Sequence, residues 1–249
     1  MKKLFVIGIG TGNPEHLSVQ AVSALNQTDV IFIPTKGEEK STLAAIRKSI
    51  CERYISRPFR LVEYPISSRN EAIGDYTQRV HDWHELIANN YVEMFQQAPD
   101  DATGALLVWG DPGLYDSTLR ILDSARSKSS LQFDIKVIPG ITAIAALTAA
   151  FAIPLNTIGN PVTITTGRKL RAGWPEGADT VVVMLDGEKT FADIVPDGLH
   201  IYWAGYVGME EQILIEGPLS VVRGRISTAR DAARARHGWI MDIYLLRRR

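Results

Sequence analysis

In the first half of the chain, short apolar runs alternate with stretches long enough for a helix. Residues 4–9, 29–33, 61–64, 105–108 and 133–138 have the length and apolar content of strands, and helix-length sequence separates them. This alternation predicts a parallel sheet covered by helices. The clearest amphipathic helix spans residues 70–98, where Ile73, Tyr76, Val80, Trp83, Ile87, Tyr91, Met94 and Phe95 recur at helical spacing as a core-facing stripe. Beyond Pro139-Gly140 the rhythm changes. Strand-like residues 162–166, 181–185 and 200–206 are followed by two late apolar runs, 212–216 and 240–246, with helix-like sequence 226–237 between them. That order predicts a second sheet with antiparallel members. We therefore expect an α/β fold of two subdomains, residues 1–138 and 139–249, with the ligand site in the cleft between them.

The uncharged stretch at residues 137–155 approaches the length of a bilayer-spanning helix. Pro139-Gly140 near its start and Pro154 near its end leave too few helix-competent positions, so the expectation is a strand end, a turn and a wholly buried helix. The apolar run after Lys2-Lys3 breaks at Gly8 after four residues, and no secretory leader is expected. Of 249 residues, 45% are hydrophobic and 22% charged, which suffices for a full core and excludes disordered and fibrous classes. With 27 basic against 28 acidic residues, no global field draws the chain to nucleic acid or an anionic membrane. Cys51 is the only cysteine, which excludes an internal disulfide and a cysteine-rich metal site and fits a reducing cytoplasm. His81 and His84 lie one helical turn apart, but no motif supplies a third ligand, so no metal is expected.

Gly8-Ile9-Gly10-Thr11-Gly12 follows the first strand and precedes a helix carrying Val19, Val22 and Leu25, which brings backbone close to something at a strand end. The dinucleotide fingerprint requires glycine where Asn13 stands, and an acid at the end of the next strand. That strand carries Asp29 at its start and runs into Pro34-Thr35-Lys36. An NADP-binding reductase is thereby weakened but stays an alternative, as does a tight turn without a ligand. No Gly-Lys-Ser/Thr follows the loop, so it is not a nucleotide P-loop.

A second loop, Trp109-Gly110-Asp111-Pro112-Gly113-Leu114-Tyr115-Asp116-Ser117, sits directly after strand 105–108, where ligands bind in open α/β sheets. The strand with its Gly-Asp-Pro, the later Pro-Gly-Ile-Thr-Ala of Pro139 to Ala143, and the first glycine loop with Asn-Pro-Glu-His-Leu-Ser after it resemble the tetrapyrrole (corrin and porphyrin) methylase family. The three motifs occur in the family's order. The resemblance implies two α/β subdomains, S-adenosylmethionine as methyl donor, a corrinoid tetrapyrrole as substrate and a homodimer. It puts the cofactor against Trp109, Gly110, Asp111 and Leu114, Thr142 and Ala143, Met184, and Gly205 with Tyr206. Residues 37–40, a helix at 43–55 and Trp83-His84 resemble the branch of the family that releases acetate as it methylates. Pro34 stands where uroporphyrinogen methylases carry a functional aspartate, and Thr11 replaces the family's usual proline, so substrate handling at that end differs.

The donor carries an already activated methyl group, so alignment and exclusion of water are the main tasks, and positioning supplies up to roughly 7 to 11 kcal/mol. Release of acetate also needs a water. Its general base is not identifiable from sequence; Asp116, Tyr115 and Lys36 are loop-end candidates, each of which reads equally well as a turn or solvated residue. Arg168, after Thr165-Thr166-Gly167, is the candidate for a substrate carboxylate. From Arg223 onward eight arginines meet only Asp231 and Asp242, which reads first as a solvated helix face with a basic tail. Other corrin methylases, a diphthine-type or ribosomal RNA methylase of the same fold, and a cofactor-binding protein without catalysis remain open at this point.

Overall fold

The computed structural model describes residues 1, 3–35, 41–66, 70, 72–129 and 133–248. The chain divides into two compact units, Met1–Ile141 and Thr142–Arg249.

The first unit is built on strands β1 (Lys3–Gly8), β2 (Val30–Thr35), β3 (Arg60–Pro65), β4 (Thr103–Val108) and β5 (Asp134–Ile138), in the order β3-β2-β4-β1-β5. Every pairing is parallel. Alternate side chains of the inner strands supply two separate cores. Leu4, Val6, Val30, Phe32, Leu106 and Val108 enter one of them, with Ile87, Tyr91 and Phe95 of α3 (Tyr76–Gln96) and Ile121 and Leu122 of α4 (Thr118–Lys128). Phe5, Ile7, Ile31, Ile33, Ala105 and Leu107 enter the other, with Ala21, Ala24 and Leu25 of α1 (Val19–Leu25) and Ala44, Ile50 and Cys51 of α2 (Ser41–Tyr54). Helix packing on both faces is why these strands read as unbroken apolar runs, with no polar face. Helix α3 starts at Tyr76, six residues later than its apolar spacing suggests, because Asp75 caps it by accepting the Gln78 N–H at 2.7 Å.

The second unit carries β6 (Val162–Thr166), β7 (Thr180–Met184), β8 (Leu199–Gly205), β9 (Ile213–Pro218) and β10 (Asp242–Arg248), in the order β6-β7-β10-β8-β9. Strand β6 runs parallel to β7; β10 is antiparallel to β7 and β8, and β9 is antiparallel to β8. The helices are α5 (Ala143–Ala150), α6 (Gly167–Arg171), α7 (Thr190–Asp193) and α8 (Leu219–His237). Phe191, Leu219, Val222 and Ile226 pack on Val181, Val183, Ile201, Trp203, Tyr244 and Leu246 in its core. Helix α8 begins directly after Pro218, seven residues before the stretch that reads as helix. It ends at Gly238, whose φ of 74° lets its N–H bond the Arg234 carbonyl at 2.9 Å.

The uncharged stretch at 137–155 resolves into the end of β5, the Pro139-Gly140 turn and α5. That helix is not wholly buried as expected: Ile144, Ala146 and Leu147 are inside, while Ala145 and Ala149 are exposed. No helix among the described residues is long and apolar enough to cross a membrane.

Candidate functional site

Since all five strands of the first sheet are parallel, the loops after β1, β4 and β5 emerge at one carboxyl edge, where they meet at three glycines. A Cβ on Gly8 would fall 2.6 Å from the Gly140 nitrogen and 2.7 Å from the Gly110 carbonyl oxygen, and one on Gly140 would fall 2.1 Å from that same oxygen. Only residues without a side chain allow this approach. Gly10 and Gly110 exchange backbone hydrogen bonds, with Gly110 N–H donating at 2.7 Å and Gly10 N–H at 3.3 Å. Asp111 closes the junction: one carboxylate oxygen accepts the Gly113 N–H at 2.7 Å, and the other accepts the Gly140 N–H at 2.9 Å. The loop backbone is left-handed at Gly110 (φ 62°) and again at Tyr115 (φ 50°), where a non-glycine residue stores strain. Thr11 is buried, and its hydroxyl bonds His16 Nδ1 at 2.9 Å.

Beneath this loop lies a polar cluster that sequence reading missed. Arg47 of α2 is 8% exposed, donates from Nε to the Leu107 carbonyl at 3.1 Å, and lies over the Trp109 ring at 5.2 Å. Burial pulls its proton affinity down to about 10, and the nearby Tyr64, Asp116 and Tyr91 partly oppose that shift. The Tyr64 and Tyr91 hydroxyls are 3.4 Å apart. Burial drives Tyr64 up to about 12 and Tyr91 well above its ordinary value, so both stay protonated near neutrality. One Asp116 oxygen accepts the Thr118 N–H at 2.7 Å at the start of α4. Tyr115 is 43% exposed, Leu114 is half-buried, and the Trp109 indole N–H is buried without an acceptor among the described residues. Lys36 lies outside the described residues.

In the second unit the pairing register puts the ends of β6, β7 and β8 at one edge, so Arg168, Met184 and Gly205 share it. Met184 is half-buried, and Leu185 beside it is 66% exposed with φ 55°. Arg168 is exposed on α6. Tyr206 is engaged wholly within the unit: its hydroxyl donates to the Trp239 carbonyl at 2.5 Å, its N–H to Met241, and its carbonyl accepts from Met209. Thr142 caps α5 by accepting the Ala145 N–H at 3.1 Å, and Ala143 is the first residue of that helix.

Behind Leu185 the carboxylate of Asp186 accepts the Thr190 N–H at 2.7 Å, the Thr190 hydroxyl at 3.0 Å and the Tyr244 hydroxyl at 2.7 Å. Arg230 bonds the Asp186 carbonyl at 2.9 Å and pairs with Asp242 at 2.9 Å, with both charged side chains almost fully buried. The basic carboxyl-terminal segment is therefore only partly a solvated face. Arg223, Arg225, Arg234 and Arg236 are exposed, but Arg230 is an internal cation and Arg247 ties β10 to the carbonyls of Pro154 and Leu155. A cavity of about 640 Å³, lined by Leu170, Trp174, Val195, Leu199 and Arg248, lies at the opposite edge of this sheet from Met184. Its Arg171 is paired with Glu188 and Asp193, and its Arg248 lies over Trp174. Among the described residues no cluster of three His, Cys, Asp or Glu side chains could hold a metal ion.

The family model described as Tetrapyrrole (Corrin/Porphyrin) Methylases matches residues 3–222. Over 250 aligned residues the chain is 49% identical to a precorrin-6A synthase (deacetylating) of Sinorhizobium sp, covering 100% of this chain and 96% of that protein. It is 27% identical over 155 residues to a precorrin-2 C(20)-methyltransferase of Sinorhizobium sp, covering 61% of this chain and 59% of the other. A solved cobalamin synthesis related protein, CobF, of Corynebacterium diphtheriae superposes with a TM-score of 0.83 at 37% identity, covering 100% and 99% of the two chains. A uroporphyrin-III C-methyl transferase of Thermus thermophilus complexed with S-adenosyl homocysteine has a TM-score of 0.60 at 15% identity, covering 98% and 91%, and shares the fold. With the family pattern running through both units, and half the residues identical to one member along the whole chain, this chain belongs to the tetrapyrrole (corrin/porphyrin) methylases.

Proposed function

We propose that this protein is a deacetylating precorrin-6A synthase, which methylates precorrin-5 at C1 with S-adenosylmethionine and releases acetate in cobalamin biosynthesis. The observation that carries this reading is the 49% identity, over 100% of this chain, to a relative whose name states that activity. We place the enzyme in the cytoplasm as a homodimer, on the resemblance to its family.

S-adenosylmethionine, when bound, supplies a methyl group activated on sulfonium sulfur. The residues fit such a ligand: half-buried Leu114 and Met184 offer apolar walls at sheet edges, and the buried Trp109 indole N–H lacks an acceptor among the described residues. Trp109, Gly110, Asp111 and Leu114 hold the donor in this reading, with Thr142, Ala143, Met184 and Gly205. Asp111 contributes by locking the loop, since both its oxygens already accept backbone N–H groups. Tyr206 contributes only by fixing the chain after Gly205, because its polar groups are engaged elsewhere. Arg168 is proposed to meet a substrate carboxylate.

Loss of the acetyl group requires water to add to its carbonyl while a base takes the proton; the bond from that carbonyl to the macrocycle then breaks, its electron pair passing to the ring system as acetate leaves. Asp116 is the stronger choice over Tyr115, because one of its oxygens is fixed by the Thr118 N–H while the side chain is not fully buried. General-base assistance accounts for about 10² to 10⁴ in rate. Asp116→Asn is therefore expected to slow acetate release by at least about a hundredfold while S-adenosylhomocysteine still binds; unchanged acetate release would remove Asp116 from the role.

The function is tested by anaerobic incubation with methyl-labelled S-adenosylmethionine and precorrin-5 generated in situ, following label in the macrocycle together with free acetate. Both signals support the proposal. Label without acetate points to a sister corrin methylase, and neither, with cofactor binding verified, points to another substrate.

A further inference from the structure

Arg47 is a buried cation whose set of partners among the described residues is incomplete. A guanidinium carries N–H groups on three nitrogens. Nε donates to the Leu107 carbonyl and Nη1 to the Leu43 carbonyl, each at 3.1 Å, and these are its hydrogen bonds among the described residues. Nη2 makes none, and Arg47 forms no ion pair among those residues. Asp116 is near enough to favour the charged form but does not reach it. Position 47 lies on the buried face of α2 with Ala44, Ile50 and Cys51, where a leucine or methionine would pack without desolvating a charge. An arginine held there desolvates much of its charge, a cost that an apolar side chain would not carry.

Its place gives that cost a purpose. Leu107 precedes the last residue of β4, so the guanidinium sits at the carboxyl edge, under the Trp109 ring that opens the candidate ligand loop. With the ring on one side and two carbonyls fixing Nε and Nη1, the Nη2 side is oriented before any ligand arrives. We propose that Arg47 receives a carboxylate of the bound substrate through Nη2, with Trp109 shielding the pair from water. This rests on the reading that the substrate is a corrinoid polycarboxylate, and it adds a recognition residue on α2 to Arg168. The same chemistry could come from the carboxylate of the methyl donor, and the test separates the two.

Wild type, Arg47→Met and Arg47→Lys would be titrated calorimetrically with dicyanocobyrinic acid, with its heptamethyl ester, and with S-adenosylhomocysteine. Their thermal midpoints would be recorded alongside. Wild type is expected to prefer the acid to the ester. Arg47→Met is expected to bind the acid about ten- to a hundredfold more weakly, the worth of a hydrogen-bonded charge, with S-adenosylhomocysteine affinity unchanged. Arg47→Lys keeps the stem and the charge, and with them the fold, but lacks the planar fork, so an intermediate loss is expected. Acid affinity that is the same in wild type and both variants overturns the proposal. Loss of S-adenosylhomocysteine binding with the acid unaffected assigns the carboxylate to the donor and also overturns it. A wild type that binds S-adenosylhomocysteine but neither corrinoid overturns the substrate reading itself, and the proposal with it.

Discussion

Gly140 has no side chain, yet it sits where two loops and a strand end share one small volume. An alanine there would bring its Cβ to 2.1 Å from the Gly110 carbonyl oxygen, and both partners are backbone, so neither can swing aside. Overpacking of a rigid site costs about 1–3 kcal/mol. Gly140→Ala is thus expected to lower the unfolding free energy by that amount, read from chemical denaturation, and to weaken S-adenosylhomocysteine binding at least tenfold; near wild-type binding in calorimetry would mean that the junction does not shape the ligand site. His16 offers a titration at the neighbouring loop. Partial burial lowers its pKa from 6.5 despite the opposing field of Glu15, so the fold favours the neutral ring that bonds Thr11. With a depressed folded value, this contribution is whole above pH 6.5 and is lost as pH falls through the lowered folded pKa. NMR titration is expected to place the His16 midpoint below 6.5, and a midpoint at or above it would refute the assignment. The loop from Trp109 to Ser117 was legible because glycine and proline declare a turn locally. Asp111's bond to Gly140 spans 29 residues, and Arg47 sits in a helix whose other buried side chains are small or apolar, so neither role has a local signature.

At the scale of elements, the strands were readable wherever both faces are buried, as in β1, β2 and β4, because length and apolar content suffice there. Helix ends were harder. The start of α3 is set by the Asp75 side chain and that of α8 by Pro218, neither of which disturbs the apolar spacing. The α5 region misled in the other direction, since alanines are apolar enough to read as interior whether covered or not. What joins α8 to its sheet is the least visible feature of all. Arg230 and Asp242 lie 12 residues apart on a helix and a strand, and the Trp203 indole N–H also donates to Asp242 at 3.0 Å. Removing one partner of a buried pair leaves the other charge stranded and costs about 3–5 kcal/mol, whereas replacing both with apolar groups is often neutral or better. Arg230→Met is expected to destabilise by that amount, while Arg230→Met combined with Asp242→Leu should recover most of the loss. Equal destabilisation by the single and double variants, read from chemical denaturation, would show that the pair is worth more than its desolvation cost.

For the whole molecule, a formal charge of -1 provides no global field for a polyanionic substrate, so the proposed function assigns its recognition to individual cations, the proposed Arg47 and Arg168, and recognition of the donor to shape. The two ligand classes consequently predict different thermodynamic signatures. A ligand that binds only the folded chain stabilises it by about 2.7 kcal/mol at a hundredfold excess over its dissociation constant. For a chain of this size each kcal/mol moves the unfolding midpoint by about 2–4 °C, so saturating S-adenosylhomocysteine is expected to raise it by roughly 5–10 °C. That rise should change little between 50 and 300 mM salt, because apolar walls and backbone groups dominate the contact and salt screens only exposed charge. The shift produced by dicyanocobyrinic acid should shrink over the same range to the extent that its carboxylates meet the exposed Arg168, as proposed, and not the buried Arg47. NADP should produce no shift, because Asn13 stands where the dinucleotide loop needs glycine and β2 ends without an acid. A salt-insensitive shift with NADP and none with S-adenosylhomocysteine would reverse the assignment of the glycine loops. A strongly salt-dependent shift with S-adenosylhomocysteine would mean that charge, and not the proposed shape of the Leu114 and Met184 walls, holds the donor.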